Sequence, residues 1–515
     1  MKHFKNRLVT SIAVACLGLA SMAGWARQAP TPTQNQPPAP AFKSEEYLLL
    51  GNATRGAGEP MIAVDPTDPK NIIAVAMGSV QRIIVDGKPA IGNSEYHRTA
   101  NSTITWLAVS HDAGMTWDVK ELPILSGKLT RCPDSFADVT KDGVFIAGCE
   151  PRETASDPDY WGMSALMMSQ DKGKTWGPVV QMISDYQLNR FAPGLKPVSG
   201  AFPKESPTRV ASNSPWDRPY TTIDDSTGVI YGFAHGGSAM VTPPTRRSQA
   251  YITASTDGGK SFGTVYSWDS PEYPQSSRGI SGTAGHGVVA VAYIASSVPA
   301  GENATCPCAV FGLSRDRGKT FTYHVLKNLM PIAAQPEARG AQPAAGGGRA
   351  GGRGGGGGNG GLTVISMDPT KAGRIAMLKS EGPRYSVSIS EDFGRTWSPF
   401  VIAGTVPDAT SFTKPAFEFS RDGVIGLMWR AIYADRSYDI WASSSKDSGK
   451  TFSKSLKVSH ARSPASDPYR NSGLFGDDIQ DLSMDKEYIH TVWGDSRAGF
   501  LGVWYGRVRL ADFEF

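Results

Sequence analysis

One eight-residue phrase occurs six times in this chain and restricts the fold more than any other feature. The copies are SHDAGMTW at 110–117, SQDKGKTW at 169–176, STDGGKSF at 255–262, SRDRGKTF at 314–321, SEDFGRTW at 390–397 and SKDSGKTF at 445–452. Their shared pattern, Ser-x-Asp-x-Gly-x-Ser/Thr-aromatic, reads as a turn between two strands. The short Asp side chain accepts backbone N–H bonds within its own turn, and Gly two positions on takes the positive φ that closes it. The hydroxyl caps the turn, and the Trp or Phe anchors it in an apolar layer. One Asp-x-Gly turn means little. Six at domain-scale spacing define a repeat protein.

With starts at 110, 169, 255, 314, 390 and 445, the intervals are 59, 86, 59, 76 and 55 residues. One unit therefore needs about 55–60 residues, and two intervals hold insertions. One insertion is polar and Pro-rich, at 185–215. The other, AAQPEARGAQPAAGGGRAGGRGGGGGNGG at 333–361, has too little apolar content to pack and is expected to be disordered. Each unit reads as four short strands, the first being PMIAVDPTDP, NIIAVAMGS, STITWLAVS, the repeated turn and DVKELPIL. No helical periodicity of any length intervenes. After the last turn, DDIQDLSMDKEYIHTVWGDSR and LGVWYGRVRL supply three strands of a seventh unit that lacks the phrase. EEYLLLGN at 45–52 can be its fourth strand, joining the two chain ends and removing every long sheet edge. The expected fold is an all-β propeller over 45–515, with seven four-stranded antiparallel blades; six blades are the alternative.

Ahead of this domain, Lys2, His3, Lys5 and Arg7 precede an apolar run over 8–23, and small residues lead to a cut after Ala26. Residues 1–26 thus read as a secretory signal peptide, and the Pro/Gln-rich 27–43 as a flexible tether. Cys16 raises a lipoprotein reading, but the apolar run continues past it and the preceding Ala-Val-Ala fits poorly. Export to the periplasm or beyond makes the other four cysteines readable as disulfides. Cys132 and Cys149 flank one hairpin, whereas Cys306-Pro307-Cys308 is open between a local bridge and free thiols. No further ligands lie near them, so no metal site is expected. A net charge of +4 over 515 residues gives no case for nucleic acid or membrane binding. No cofactor motif occurs, and a monomer is expected.

The six phrases resemble the Asp-box (BNR) repeats of the sialidase superfamily of β-propellers, and the resemblance spans about residues 45–515. It implies sialidases, other exo-glycosidases, propeller-type polysaccharide lyases or binding propellers without catalysis. It also implies that the boxes lie on the face opposite the chemistry. The functional face is then built by loops leading into each first strand and by loops between second and third strands. The first set supplies Arg55, Glu59, Arg131, Asp134, Asp217, Arg218, Arg278, Lys414, Asp477 and Asp478. The second supplies His97, Arg98, Glu150, Arg152, His235, Glu381, Arg384, Arg430, Tyr433, Asp495 and Arg497.

Arginines around a funnel suit a carboxylate-bearing sugar, because guanidinium grips carboxylate with two parallel bonds. Arg55, Arg152, Arg218, Arg278, Arg430 and His97 are the candidate substrate-binding residues. Asp217 and Glu150 are the candidate acid and base or nucleophile for glycoside cleavage. His97 or His235 with Tyr433 would instead move protons in a lyase, an arginine neutralising the uronate. Where sialidases carry Phe/Tyr-Arg-Ile-Pro, this chain reads Ala-Thr-Arg-Gly-Ala-Gly-Glu-Pro, so Arg55 takes the arginine's place without the motif. Loop arginines and aspartates also pair with one another across blades, which is the plainer reading of each. The leading expectation is an exported glycoside hydrolase on a carbohydrate chain that can include an acidic sugar. The lyase and the non-catalytic propeller are its alternatives.

Overall fold

The structure, a computed structural model, describes residues 42–52, 55–80, 84–85, 88–89, 103–125, 129–153, 163–184, 216–236, 249–275, 281–326, 364–464 and 479–515. The expected signal peptide, nearly all of the expected tether and the Gly-rich insertion lie outside them. Seven four-stranded antiparallel sheets make up the domain. Blade 1 comprises Arg55–Val64, Ile72–Val80, Thr103–Ser110 and Asp118–Glu121. Blade 2 comprises Phe136–Val139, Phe145–Cys149, Met163–Ser169 and Val180–Ser184, and blade 3 Trp216–Asp224, Val229–Gly236, Gln249–Ser255 and Tyr266–Ser267. Blade 4 uses Gly282–Gly285, Val288–Ala295, Cys308–Ser314 and Thr322–Val325; blade 5 uses Val364–Met367, Ile375–Ser380, Arg384–Ser390 and Val401–Thr405. Blade 6 uses Ser411–Phe419, Ile425–Ile432, Tyr438–Ser445 and Leu456–Lys457. Blade 7 takes Asp481–Met484, Tyr488–Asp495 and Gly502–Arg509 from the C-terminus and Ser44–Leu50 from the N-terminus. It is the seventh, phrase-free unit expected from the sequence.

Each innermost strand packs against the next, and the seventh against the first, which makes the array a closed propeller. Side chains stitch these strands across blade boundaries. Ile62 N–H donates to Asp481 Oδ2 at 3.0 Å, Ile365 N–H to Ser281 Oγ at 2.8 Å and Phe419 N–H to Ser366 Oγ at 2.9 Å. Outside this axial layer the cores lie between blades rather than within them. Among the described residues there are seven such clusters, each drawn from two neighbouring blades.

The repeated turns are built as expected, with two additions. Asp accepts the backbone N–H of the box Thr or Ser at 2.8–3.0 Å, and that residue's hydroxyl donates to its other oxygen at 2.6–2.7 Å. The first Ser donates to Asp and accepts the Gly N–H, so it too is part of the device. The residue before Gly is also left-handed, as at Arg317 (φ 62°) and Phe393 (φ 61°). These bonds hold the Asp171 carboxyl at about 2, with the Thr175 hydroxyl the largest influence.

The second addition is packing. A Cβ on Gly114, Gly173, Gly259, Gly318, Gly394 or Gly449 would strike Tyr505, Val109, Met168, Ile252, Phe311 or Ile389. Each of these belongs to the preceding blade. Likewise Trp176 packs into the blade 1–2 cluster, Trp397 into the 4–5 cluster and Phe452 into the 5–6 cluster. The turn therefore fastens its blade to the one before it. Gly394→Ala combines a left-handed backbone with a clash on Phe311, and should cost roughly 2–3 kcal/mol in denaturant unfolding. Gly228→Ala, equally left-handed but with nothing within 4 Å, should cost about 1 kcal/mol.

Candidate active site

In each blade the third strand runs parallel to the first, so the box turns and the first-to-second hairpins share one face. The starts of the innermost strands and the second-to-third loops share the other. On that second face the backbone departs from ordinary strand geometry at one recurrent place. Glu59 (φ 53°), Asp134 (φ 50°), Arg218 (φ 52°) and Lys414 (φ 53°) are left-handed, at the start of the innermost strands of blades 1, 2, 3 and 6. The ladder shifts register around three of them, between Gly58 and Met61, Asp217 and Tyr220, and Thr413 and Ala416. Pro60, Pro219 and Pro415 follow directly, although a residue before proline prefers extended backbone. Charged side chains held in this region cost about 1 kcal/mol each, and such strain gathers at functional sites. Glu59, Asp134 and Lys414 are also buried, at 8%, 7% and 6% exposure.

Blade 2 adds a second carboxylate to this ring. The Cys132–Cys149 disulfide, with Cα atoms 5.5 Å apart, ties the approach to the innermost strand to the end of the second strand. Glu150 N–H donates to Pro133 O at 2.9 Å, and the Glu150 side chain is fully buried. Asp134 and Glu150 thus flank one covalent clamp. In blade 3, Asp217 lies opposite His235 in the ladder, one residue before Arg218. Blades 1, 2 and 3 are consecutive, so these groups gather on one arc of the ring.

Deeper along the axis the sequence reading missed a second layer. Asp138, Glu418 and Asp481 stand on the innermost strands of blades 2, 6 and 7, alternating with core residues; each is accessible to water yet surrounded by protein. Burial pushes Asp138 and Asp481 each up to about 7, and Glu418 well above the usual carboxylate range. Glu418 is raised further by both of the others, so the three sense one another. Arg421, on the blade 6 hairpin, reaches across the axis to Val139 O at 2.8 Å and Asp225 at 2.7 Å on blades 2 and 3. A signal existed: a carboxylate four residues after Asp134 and after Lys414, set inside an otherwise apolar strand.

Other expected site residues go elsewhere. Arg430 is fully buried, donates to Gly494 O at 3.1 Å and stacks on Tyr438 with its guanidinium 3.9 Å from the ring centroid. It fastens blade 6 to blade 7. Tyr433 is buried at 8% exposure and lines a cleft over the outer part of blade 6; burial raises its phenol. Arg55 Nη1 lies 3.9 Å from Glu121 of its own blade's outermost strand. Glu381 pairs with Lys379 at 2.7 Å and Arg384 at 3.2 Å, and Arg497 with Asp495 at 3.1 Å, which are local ion pairs. His97, Arg98, Arg278, Asp477 and Asp478 lie outside the described residues, as do the side chains of Arg131, Arg152, Asp217 and His235. Among the described residues, no group of three or more His, Cys, Asp or Glu is placed to hold a metal ion. No helix there is long and apolar enough to cross a membrane.

No protein-family model matches the chain, and no curated protein matches it. Solved structures do. A Dyadobacter fermentans DSM 18053 protein of unknown function is 15% identical, with 78% of this chain and 97% of that one covered and a TM-score of 0.43. The Hadza microbial sialidase Hz136 is 14% identical over 91% of this chain and 96% of that one, at a TM-score of 0.41. Trypanosoma rangeli sialidase in complex with the inhibitor DANA is 11% identical over 91% of this chain, which spans 60% of that longer one, at a TM-score of 0.42. Sialidase-type propellers are thus among its structural neighbours. The propeller assignment itself rests on the sheet order.

Proposed function

We propose that the chain is an exported glycoside hydrolase whose site is the axial mouth on the face away from the repeated turns. The observation that carries this reading is the set of four charged residues, Glu59, Asp134, Arg218 and Lys414, held left-handed at matching places around the ring. A fold keeps such strain where position matters more than stability. Glycoside cleavage needs one carboxyl to protonate the leaving oxygen and a second to attack or to activate water. Glu150 and Asp134 on the disulfide clamp, with Asp217 on the next blade, supply candidates for both roles. Arg218 and Lys414 supply cations for an acidic sugar, with Arg55, Arg152 and Arg278 as further candidates. The two disulfides suit an oxidising compartment, in keeping with the secretory signal. Tyr433 speaks against the lyase form, because its phenol is raised by burial and it stands in another cleft.

The test is a screen of the secreted protein on aryl glycosides, including sialosides, and on acidic polysaccharides. Glu150→Gln, Asp134→Asn and Asp217→Asn should each lower hydrolysis at least 100-fold while the protein stays folded. Products that absorb ultraviolet light at a new double bond would turn the assignment to a lyase. Unchanged rates in all three variants would remove the site from this mouth.

A further inference from the structure

Blade 6 carries a second opening that the axial site does not use. It is a cleft of about 460 Å³ whose lining includes Asp408, Tyr433, Asp435, Trp441 and Arg462. Trp441 stands on the third strand of the blade and Arg462 beyond the outermost strand, so the cleft lies over the outer part of the blade. The volume falls within the range of small-ligand sites.

Its walls are held from behind. The Arg462 guanidinium lies 3.7 Å from the Tyr433 ring centroid, and its Nε is 3.4 Å from Asp439 Oδ2. Asp439, buried at 1% exposure, also takes Lys457 Nζ at 3.0 Å and the Ser459 hydroxyl at 3.1 Å. Asp435 accepts Ser437 N–H at 3.0 Å, and the Ser437 hydroxyl is the first cause of a carboxyl held below its usual range. Asp408 stands exposed on a left-handed residue, φ 62°. The opening therefore presents the half-buried Trp441 ring and two exposed carboxylates, while its one guanidinium covers Tyr433 and shares Asp439 with Lys457.

The geometry points to a binding site for an uncharged sugar residue, separate from the axial mouth. Aromatic rings take the C–H face of a sugar, and carboxylates accept from its neighbouring hydroxyls. Three carboxylates, Asp408, Asp435 and Asp439, face two cations, Arg462 and Lys457, and the negative charge left over turns away uronates and sialic acids. Such binding requires no hydrolysis, so it stands or falls independently of the proposed activity.

The experiment is native electrophoresis of the full mature protein through gels containing galactomannan, xylan or mixed-linkage glucan, with polygalacturonate as the acidic comparison. Retardation is expected in at least one neutral gel. The exposed pair Asp408→Asn/Asp435→Asn should weaken it at least fivefold, and so should Trp441→Leu. Because the two aspartates touch no core, the double variant stays informative even if the Trp441 variant misfolds. Glu150→Gln should leave retardation in the neutral gel intact. Three results would each overturn the assignment: free migration in every neutral gel, retardation untouched by the double variant, or retardation abolished by Glu150→Gln.

Discussion

Removing residues 42–50 should leave no cooperatively unfolding monomer. The strand Ser44–Leu50 pairs along Gly502–Arg509 from Ser44↔Val508 to Leu50↔Val503 and completes blade 7. Arg507 holds Glu45 with bonds of 2.8–3.0 Å, and the Tyr47 hydroxyl donates to Gly114 O while receiving Trp117 Nε1–H. Leu50 is 1% exposed, and Tyr47 and Leu49 pack on the cluster between blades 7 and 1. At about 2 kcal/mol for each large apolar side chain, the loss rivals the whole stability of an ordinary domain. It also exposes Gly502–Arg509 as an unpaired edge open to aggregation. Size-exclusion chromatography with denaturant unfolding reads the outcome. A truncated monomer melting close to the full domain would show that the ring does not depend on this closure.

The second large effect concerns pH. Asp138 and Asp481, raised to about 7, bind protons more tightly folded than unfolded, where they titrate near 3.8. Stability tied to their protonated forms is complete below pH 4, erodes as pH rises, and is gone above pH 7. Each shift corresponds to about 4 kcal/mol at most, and the partial exposure of both side chains brings the expected effect to about 2–4 kcal/mol. The groups facing them are few. Arg421 lowers Asp138 and Asp225 raises it, the Thr221 hydroxyl donates to it at 3.2 Å, and Asp481 receives Ile62 N–H. Glu418 adds a third acid that burial likewise raises. Asp481→Asn can still accept from Ile62 and carries no charge. It should therefore match the parent at pH 4 and exceed it by about 2–4 kcal/mol at pH 8.5 in urea unfolding. Equal stability of variant and parent at both pH values would mean that folding does not raise the Asp481 carboxyl. The repeated-turn aspartates act in the opposite sense, losing their bonds only as pH falls from about 4 toward 2. Maximum stability should consequently lie on the acidic side of neutral.

The architecture was legible because its signal is periodic. Six copies of one turn gave the blade length, and the leftover strands at both ends predicted the seventh blade and its mixed origin. The mouth was legible only in part. Glu59, Asp134, Arg218 and Lys414 follow from counting loops, but nothing in their residue types announces a left-handed backbone. For Glu59, Arg218 and Lys414, proline argues for the reverse. That is where local preference is overridden, as expected where position outranks stability. Arg430 reads as a loop cation, yet Gly494 O and the Tyr438 ring, both far away in sequence, claim it. The axial acids were hidden because a carboxylate within an apolar strand looks like an outward-facing residue until closure turns that face toward the axis.

The bond between each repeated turn and the blade before it gives the ring a direction. Blades 2 to 6 each carry a Gly that fits the surface of the blade before them in sequence, so assembly can advance one blade at a time from the N-terminal side, with the fit of blade 1 on blade 7 coming last. Only blade 7 arrives without such a key. Its seam with blade 6 is filled instead by Leu510 and Phe513, with Lys446 donating to Leu510 O at 2.9 Å and Lys454 N–H to Glu514 O at 2.7 Å. Residues 510–514 thus serve as the latch, and removing them should open the seam between blades 6 and 7.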